Sequence, residues 1–369
     1  MKLKLFGISL LAVTTLATFG IAQAEPLGLP PVPIPEDNPQ TPEKIKLGDK
    51  LFHDQRFSTT GEVSCATCHE REKAFTDTPL SVSVGINNLT GTRNAPTVIN
   101  SAYLHSQFWD GREPDLEEQS GQPFINPVEM GLEDYQPILD IVRTDPDYQQ
   151  QFKTVFGKSG EEISIEEVKK AIASFERTII SGDSPFDRYL YGGDKSAMDE
   201  SAIRGLEVFV GQGRCVSCHT ISETHALFTD NRFHNLGVSF DLIDKDVKAM
   251  ADEFGRAKKK GLNVDIAVLG NKNISELGRF AITDNYQDMG SFRTPTLRNV
   301  DVTSPYMHDG SQNSLDEVIE FYSNGGRINE DDPVNPFQSG GIRPLNLSDQ
   351  QKDDLLAFMQ ALTSPEYQE

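Results

Sequence analysis

Cys65-Ala66-Thr67-Cys68-His69 and Cys215-Val216-Ser217-Cys218-His219 are one pentapeptide pattern occurring twice. Cys-x-x-Cys-His is the attachment pattern of a c-type haem. The two thiols are spaced to form thioethers with both vinyl groups of one porphyrin, and the adjacent His then sits under the iron as its proximal ligand. A lone Cys-x-x-Cys has rival readings, a redox dithiol or half of a zinc site. Here a His follows both copies, and the chain's four cysteines all fall inside them. The pattern predicts two covalently bound haem c groups, one on Cys65, Cys68 and His69, the other on Cys215, Cys218 and His219.

Working outward, the 369 residues are enough for two modest domains. The start reads as a secretory signal over 1–24: basic Lys2 and Lys4, an apolar run from Leu5 to about Ala17, and a small-x-small site at Ala22-Gln23-Ala24. The rival is an uncleaved anchor, although that run is short for a bilayer. No other stretch is apolar enough to span, so no membrane span is expected after cleavage, and the expected location is periplasmic. Export agrees with haem c, which bacteria attach outside the cytoplasm. Four cysteines in an exported chain could instead make two disulfides, but the His after each pair argues against it. The formal charge of −22 argues against nucleic acid or anionic lipid as a partner. It suits a basic partner, and equally serves solubility.

Residues 25–41 are proline-rich and read as an extended leader without a core. Thr41-Pro42 predicts a helix start, with Ile45, Leu47, Leu51 and Phe52 on the helix that runs up to the first motif. Residues 75–96 read as loop. Helical periodicity returns over 135–156, broken at Asp145-Pro146, and over 165–180. The Ser181-Gly182-Asp183-Ser184-Pro185 stretch marks a boundary, giving domains 42–184 and 185–369, with the last helix free to pack back on the first domain. A helix with Ile203, Leu206, Val208 and Phe209 leads into the second motif. Leu47-Gly48-Asp49-Lys50-Leu51-Phe52 parallels Arg204-Gly205-Leu206-Glu207-Val208-Phe209, which points to internal duplication. After residue 219 come a polar stretch, the run Lys258 to Lys260 as a solvated face, and a Gly- and Pro-punctuated region to Gly310, with no helix predicted. Helices follow over 314–322 and 348–362, the last capped by Ser348. Strand signal is thin, so the fold is predicted mostly α: two cytochrome-c-like haem domains, long loops, little β.

Six segments carry a resemblance: Ser64 to His69, Arg93-Asn94-Ala95-Pro96, Phe108-Trp109-Asp110-Gly111-Arg112, Asn126-Pro127-Val128-Glu129-Met130, Phe292 to Asn299, and Pro305-Tyr306-Met307-His308-Asp309-Gly310. Taken in order, they make the chain, over about 41–362, resemble the bacterial di-haem cytochrome c peroxidases, a family that includes the MauG-type enzymes. The resemblance implies an N-terminal peroxidatic haem, a C-terminal electron-transfer haem, and a calcium ion near the interface. It implies that Glu129 is the catalytic acid/base, that Gln119 lines the same iron face, and that Trp109 relays electrons between the haems. Calcium would take Asn94 and the carbonyls of Thr303 and Pro305. The axial ligand of the second haem would be Tyr322, with Met307 and Met289 as rivals. Family peroxidases use Met there, and MauG-type enzymes use Tyr.

Classical members also close the first iron with a His from the loop after the first motif. This chain departs from them, with no His between Glu70 and Leu104 and Ile86 about where that ligand is expected. His105 lies too close to Trp109 to match. The first haem is therefore predicted to be five-coordinate or water-ligated. His53, His225 and His234 read as structural or exposed, and His308 as a residue behind the second haem's ligands.

The leading expectation is a di-haem peroxidase that reduces hydrogen peroxide, with cytochrome c as electron donor, and with a homodimer as one possible assembly. Two alternatives stay open. One is a MauG-like enzyme that spends both oxidising equivalents on side chains of a protein substrate. The other is a non-catalytic di-haem electron carrier.

Overall fold

The computed structural model describes residues 26–243, 246–327 and 335–368. The signal segment 1–24 and its cleavage site lie outside the described residues. In chain order the helices of the first half are α1 (Pro42–Phe52), α2 (Cys65–Cys68), α3 (Leu116–Ile125), α4 (Gln136–Thr144), α5 (Pro146–Phe156), α6 (Ile165–Glu176) and α7 (Pro185–Leu190). Then come α8 (Glu200–Val210), α9 (Val247–Lys258), α10 (Val264–Gly270), α11 (Lys272–Ser275), α12 (Phe280–Thr283), α13 (Leu315–Ser323) and α14 (Asp349–Gln360). Strand structure among the described residues is one antiparallel pair, β1 (Phe233–His234) with β2 (Phe292–Arg293). The fold is mostly α.

The local signals act as the chemistry requires. Thr41 accepts a hydrogen bond from Lys44 N at 3.2 Å, with Pro42 at the first helical position of α1. Asp145 caps α5, splitting the 135–156 periodicity at Pro146. Ser348 caps α14 in a reciprocal box with Gln351. Each cap satisfies backbone N–H groups that the first helical turn leaves without a partner.

The duplication seen in sequence recurs in packing. In the first half α1 lies across α6, and a methyl group built on Gly48 would stand 1.9 Å from the Ala171 carbonyl oxygen and 2.9 Å from Phe175 Cβ. In the second half α8 lies across α14, and the same methyl on Gly205 would stand 1.9 Å from the Asp354 carbonyl and 2.7 Å from Phe358 Cβ. Each helix leading into a Cys-x-x-Cys-His motif thus touches its partner's backbone at a glycine. Leu47, Leu51, Phe52, Val168 and Ile172 belong to one apolar cluster. Phe209, Leu355, Phe358, Met359 and Leu362 belong to another. The closing helix therefore sits on the second half. Only the tail beyond it returns to the first, where Tyr367 packs against the cluster of Ala74, Phe75, Val98, Ile99 and Ile179.

Two segments depart from the sequence reading. Between residues 247 and 283, where no helix is expected from the sequence, α9 to α12 form their own cluster around Phe254, Val268, Leu277 and Phe280. Lys258, expected on a solvated face, donates to the carbonyls of Ala281 and Ile282 at 3.1 and 2.8 Å. The leader is docked across both halves. Arg298, 1% exposed, donates to the Gly28 carbonyl at 2.6 Å while pairing with Asp187 at 2.8 and 2.9 Å. Tyr103 Oη donates to the Pro30 carbonyl at 2.9 Å, and Asn38 Nδ2 to Glu117 Oε1 at 2.6 Å.

Replacing glycine by alanine inside a helix ordinarily stabilises it by about 1 kcal/mol. At Gly205 the added methyl meets backbone that cannot retreat without parting α8 from α14, and overpacking of this kind costs about 1–3 kcal/mol. Gly205→Ala is expected to lower the thermal unfolding midpoint. Gly255→Ala, in α9 with open space around it, is expected to raise it.

Candidate functional site

Both motifs present the same donor chemistry. Cys65 and Cys68 bound α2, whose start is held by Ser64 N donating to Thr67 Oγ1 at 3.0 Å. Cys215 opens a short 3-10 turn. His69 Nδ1 lies 3.2 Å from the Phe75 carbonyl and His219 Nδ1 lies 2.9 Å from the Phe228 carbonyl. A carbonyl can only accept, so Nδ1 carries the hydrogen on both rings and Nε2 is left to bind a metal. Burial pushes both imidazoles below their ordinary range, which keeps them neutral and fit to ligate.

Each motif opens onto a cavity. The second, about 550 Å³, is lined by Cys215, Cys218 and His219. That volume falls in the range of cofactor pockets. Met307, Tyr322, Thr303 and Pro305 line it too, and so does Met359 of α14, which sequence reasoning missed. Met289 is buried in the third cluster instead and is not among the lining residues. The first cavity is tighter, about 140 Å³, and is lined by Cys65, Cys68, His69, Gln119 and Glu129. Paired thiols, a neutral imidazole with free Nε2, and an adjoining cavity fit a haem c at each motif by their donor chemistry, with more room at the second. Trp109 and Asn94 line both cavities, and the indole Nε1 donates to the Asn94 carbonyl at 2.9 Å.

Glu129 sits on a loop held from two sides. Its N–H donates to the Asn126 carbonyl at 3.1 Å, and its carbonyl accepts from Ile86 N at 2.9 Å. Burial raises its carboxyl to about 7, the nearby Asp265 adds to the rise, and Arg112 opposes it. Gln119 reaches the same cavity from α3. His105 is exposed and lines neither cavity. His308 lines the second cavity, its Nε2 lying 2.9 Å from Glu276 Oε2 and its ring stacked on Phe292 at 3.6 Å.

Sequence reasoning assigned no role to the charges around Trp109. Asp110, fully buried, receives Arg93 Nη1 at 2.6 Å and Arg112 Nη1 at 3.1 Å. Arg112 Nε also reaches Asp265 at 2.6 Å, and its guanidinium lies over the Phe108 ring at 3.6 Å. The signal was present in Arg93 and in the Asp-Gly-Arg that follows Trp109, but not the pairing. His234, read as structural or exposed, lines the second cavity and pairs with Asp230 at 2.8 Å. Cys218, Asp230 and His234 lie close enough to hold a metal ion. A haem c on this motif would take the Cys218 sulfur as a thioether, which leaves two donors, fewer than the three or four protein ligands of a zinc site.

The sequence profile described as di-haem cytochrome c peroxidase matches residues 42–195. The chain is 36% identical to the cytochrome-c peroxidase IdrP1 of Pseudomonas sp. (strain SCT) over 370 residues, covering 99% of this chain and 93% of that one. It is 34% identical to the methylamine utilization protein MauG of Methylorubrum extorquens over 331 residues, covering 90% and 81%. Among solved structures, a MauG-like protein associated with microbial copper homeostasis superimposes with a TM-score of 0.74 at 34% identity, covering 94% of this chain and 98% of that one.

Burial alone would raise the Asp110 carboxyl, but Arg93 and Arg112 overcome it and hold it at about 2. A carboxyl lowered by folding stabilises the native state fully above its unfolded value of about 3.9, and that stability fades as pH falls toward about 2. Asp110→Ala leaves the buried Arg93 guanidinium without an ion pair and Arg112 with Asp265 alone, and is expected to cost about 3–5 kcal/mol at pH 7. Denaturant unfolding of wild type and variant should show the gap narrowing below pH 4.

Proposed function

The chain belongs to the bacterial di-haem cytochrome c peroxidase and MauG family, and from that premise we propose that it reduces hydrogen peroxide at the His69 site with electrons delivered through the His219 site. It is an oxidoreductase of the di-haem peroxidase type, which removes the non-catalytic carrier reading. Like its family it is periplasmic, and none of its described helices is long and apolar enough to cross a membrane. The observation that carries the proposal is the company around the first cavity. An imidazole placed to ligate, a carboxyl near neutrality, an amide and an indole line one space, and the indole also lines the second.

Two haem c groups, held by Cys65, Cys68 and His69 and by Cys215, Cys218 and His219, would supply the redox chemistry. The protein's own task is moving protons and electrons. Glu129 in its ionised form accepts the proton of one peroxide oxygen and returns it to the other, so that the oxygen–oxygen bond breaks with water leaving. Gln119 offers amide hydrogens that orient the peroxide. Trp109, fixed by its bond to the Asn94 carbonyl, is the electron relay. Ile86 lies in the loop where classical members place a ligating His, which supports an open face at the first iron. Asn94, Thr303 and Pro305, drawn from both halves, are proposed to hold one calcium ion and tie the halves at that point.

Tyr322 favours a second reading. A phenolate on the second iron lowers its potential, whereas a thioether raises it. Tyr322 as axial ligand, ahead of Met307, would fit the MauG-like use of both oxidising equivalents on a protein substrate. Adding peroxide to the holoprotein, with and without reduced cytochrome c, separates the two. Rapid oxidation of the cytochrome marks the scavenger. A long-lived oxidised form indifferent to the cytochrome marks the protein-modifying enzyme and rejects the cytochrome as donor. Tyr322→Phe is expected to change the second haem's absorption and raise its potential, whereas Met307→Leu leaves both in place.

Glu129 must be ionised to accept a proton, so kcat/KM for peroxide is expected to rise with pH through about 7. Glu129→Gln is expected to lose that limb and about 100–10,000-fold of the rate.

A further inference from the structure

The third helical cluster holds no Cys-x-x-Cys-His motif, yet it sends one carboxylate to Arg112, a residue that lines the first cavity. Asp265, in the first turn of α10, is 8% exposed. Its Oδ1 accepts from Arg112 Nε at 2.6 Å and its Oδ2 from Asn126 Nδ2 at 2.6 Å. Asn126, fully buried, spends its amide oxygen and its backbone carbonyl on the loop that follows it. Asn126 Oδ1 accepts from Val128 N at 3.1 Å, and its carbonyl accepts from Glu129 N at 3.1 Å and Gly131 N at 2.9 Å. The cluster also grips this region by packing. Val128 lies against it, and Leu269 of α10 lines the first cavity.

We propose that Asp265 is the positioning residue for Glu129: it holds Asn126 so that the loop presents Glu129 to the first cavity, and it balances the charge of Arg112 beside it. The proposal rests on Glu129 as the proton acceptor. The charged and titratable groups sharing its surroundings are Arg112, Arg93 and Arg293, Glu176 and His69 across the cavity, and Asp265. Of the negative groups, Asp265 is the one bonded both to Arg112 and to the loop's anchoring amide. Without its charge, Arg112 is left with Asp110, which it shares with Arg93, so its pull on Glu129 grows, and the like-charge repulsion from Asp265 is lost as well. Both changes favour the ionised form of Glu129.

The test is made on the holoprotein. Asp265→Asn keeps the side chain's size and one acceptor but removes the charge. It is expected to move the acid limb of kcat/KM to lower pH by about 1 unit or more. The carboxylic-acid band of Glu129 in an infrared pH titration, assigned by its absence from Glu129→Gln, should shift in the same direction. Asp265→Glu keeps the charge and is expected to leave the limb in place, even where altered reach lowers kcat. In a Glu129→Gln background, Asp265→Asn should move nothing. An Asp265→Asn protein with intact haem absorption and an unmoved limb and band would overturn the proposal. A limb that survives in Glu129→Gln overturns it differently, because the reading of Glu129 then fails first.

Discussion

A carboxylate with no access to water is tolerated only where opposite charge surrounds it. Asp110 is such a group, and much of the centre of this molecule is arranged to meet its demand. Arg93 and Arg112 come to it from two sides. Arg279 Nη1 donates to the Asp110 and Gly111 carbonyls at 2.9 and 2.6 Å. Arg293 N donates to the carbonyl of the neighbouring Trp109 at 2.7 Å, which fixes β2 against the indole. Arg112 then passes the constraint on to Asp265, and Asp265 to Asn126. The position of Trp109 between two cavities and the position of Glu129 at one of them follow from a single chain of paired charges.

The two halves show how one scaffold is put to different uses. Each places a helix across another at a glycine, follows the first helix with a Cys-x-x-Cys-His motif, and bonds the motif's imidazole Nδ1 to a carbonyl. Only the first has carboxyl groups among the described residues lining its cavity, with Gln119 of α3 beside Glu129 on the loop after it. The second lines its larger cavity with Tyr322, Met307 and Met359. Buried carboxyls on one side, and a phenol and two thioethers on the other, are the difference on which the proposed division into a peroxide site and an electron site rests.

Much of this was legible in the residues. The motifs, the helices with a strong apolar stripe, and the caps at Thr41, Asp145 and Ser348 are local patterns, and the chain obeys them. What escaped was non-local or carried by backbone. Helix α9 buries only Ala251 and Phe254 along its twelve residues, too thin a stripe to stand out among its charges. The leader is gripped through its carbonyls by Arg298 and Tyr103, and carbonyls leave no trace in a sequence of prolines. Asp265 contacts residues 139 and 153 positions away, and no spacing rule reaches that far. Of the axial candidates, Tyr322 and Met307 line the cavity and Met289 does not, and the lining adds Met359, which no local pattern marks.

Ile86 shows how one position can change what a loop does. A ligating His there would have to reach the iron and leave it again as the iron's redox state changed. Ile86 instead lies 6% exposed in the first half's core, and burying such a side chain is worth about 1.5–3 kcal/mol. Its backbone N–H is thereby fixed where it bonds the Glu129 carbonyl. The loop is anchored by apolar burial and acts as a latch on Glu129, with Asn126 and Asp265 holding the loop that carries it from the other side. On the proposed reading of Glu129 as proton acceptor, an arrangement anchored in this way has that group in place before peroxide arrives, so no rearrangement of the loop has to precede the chemistry.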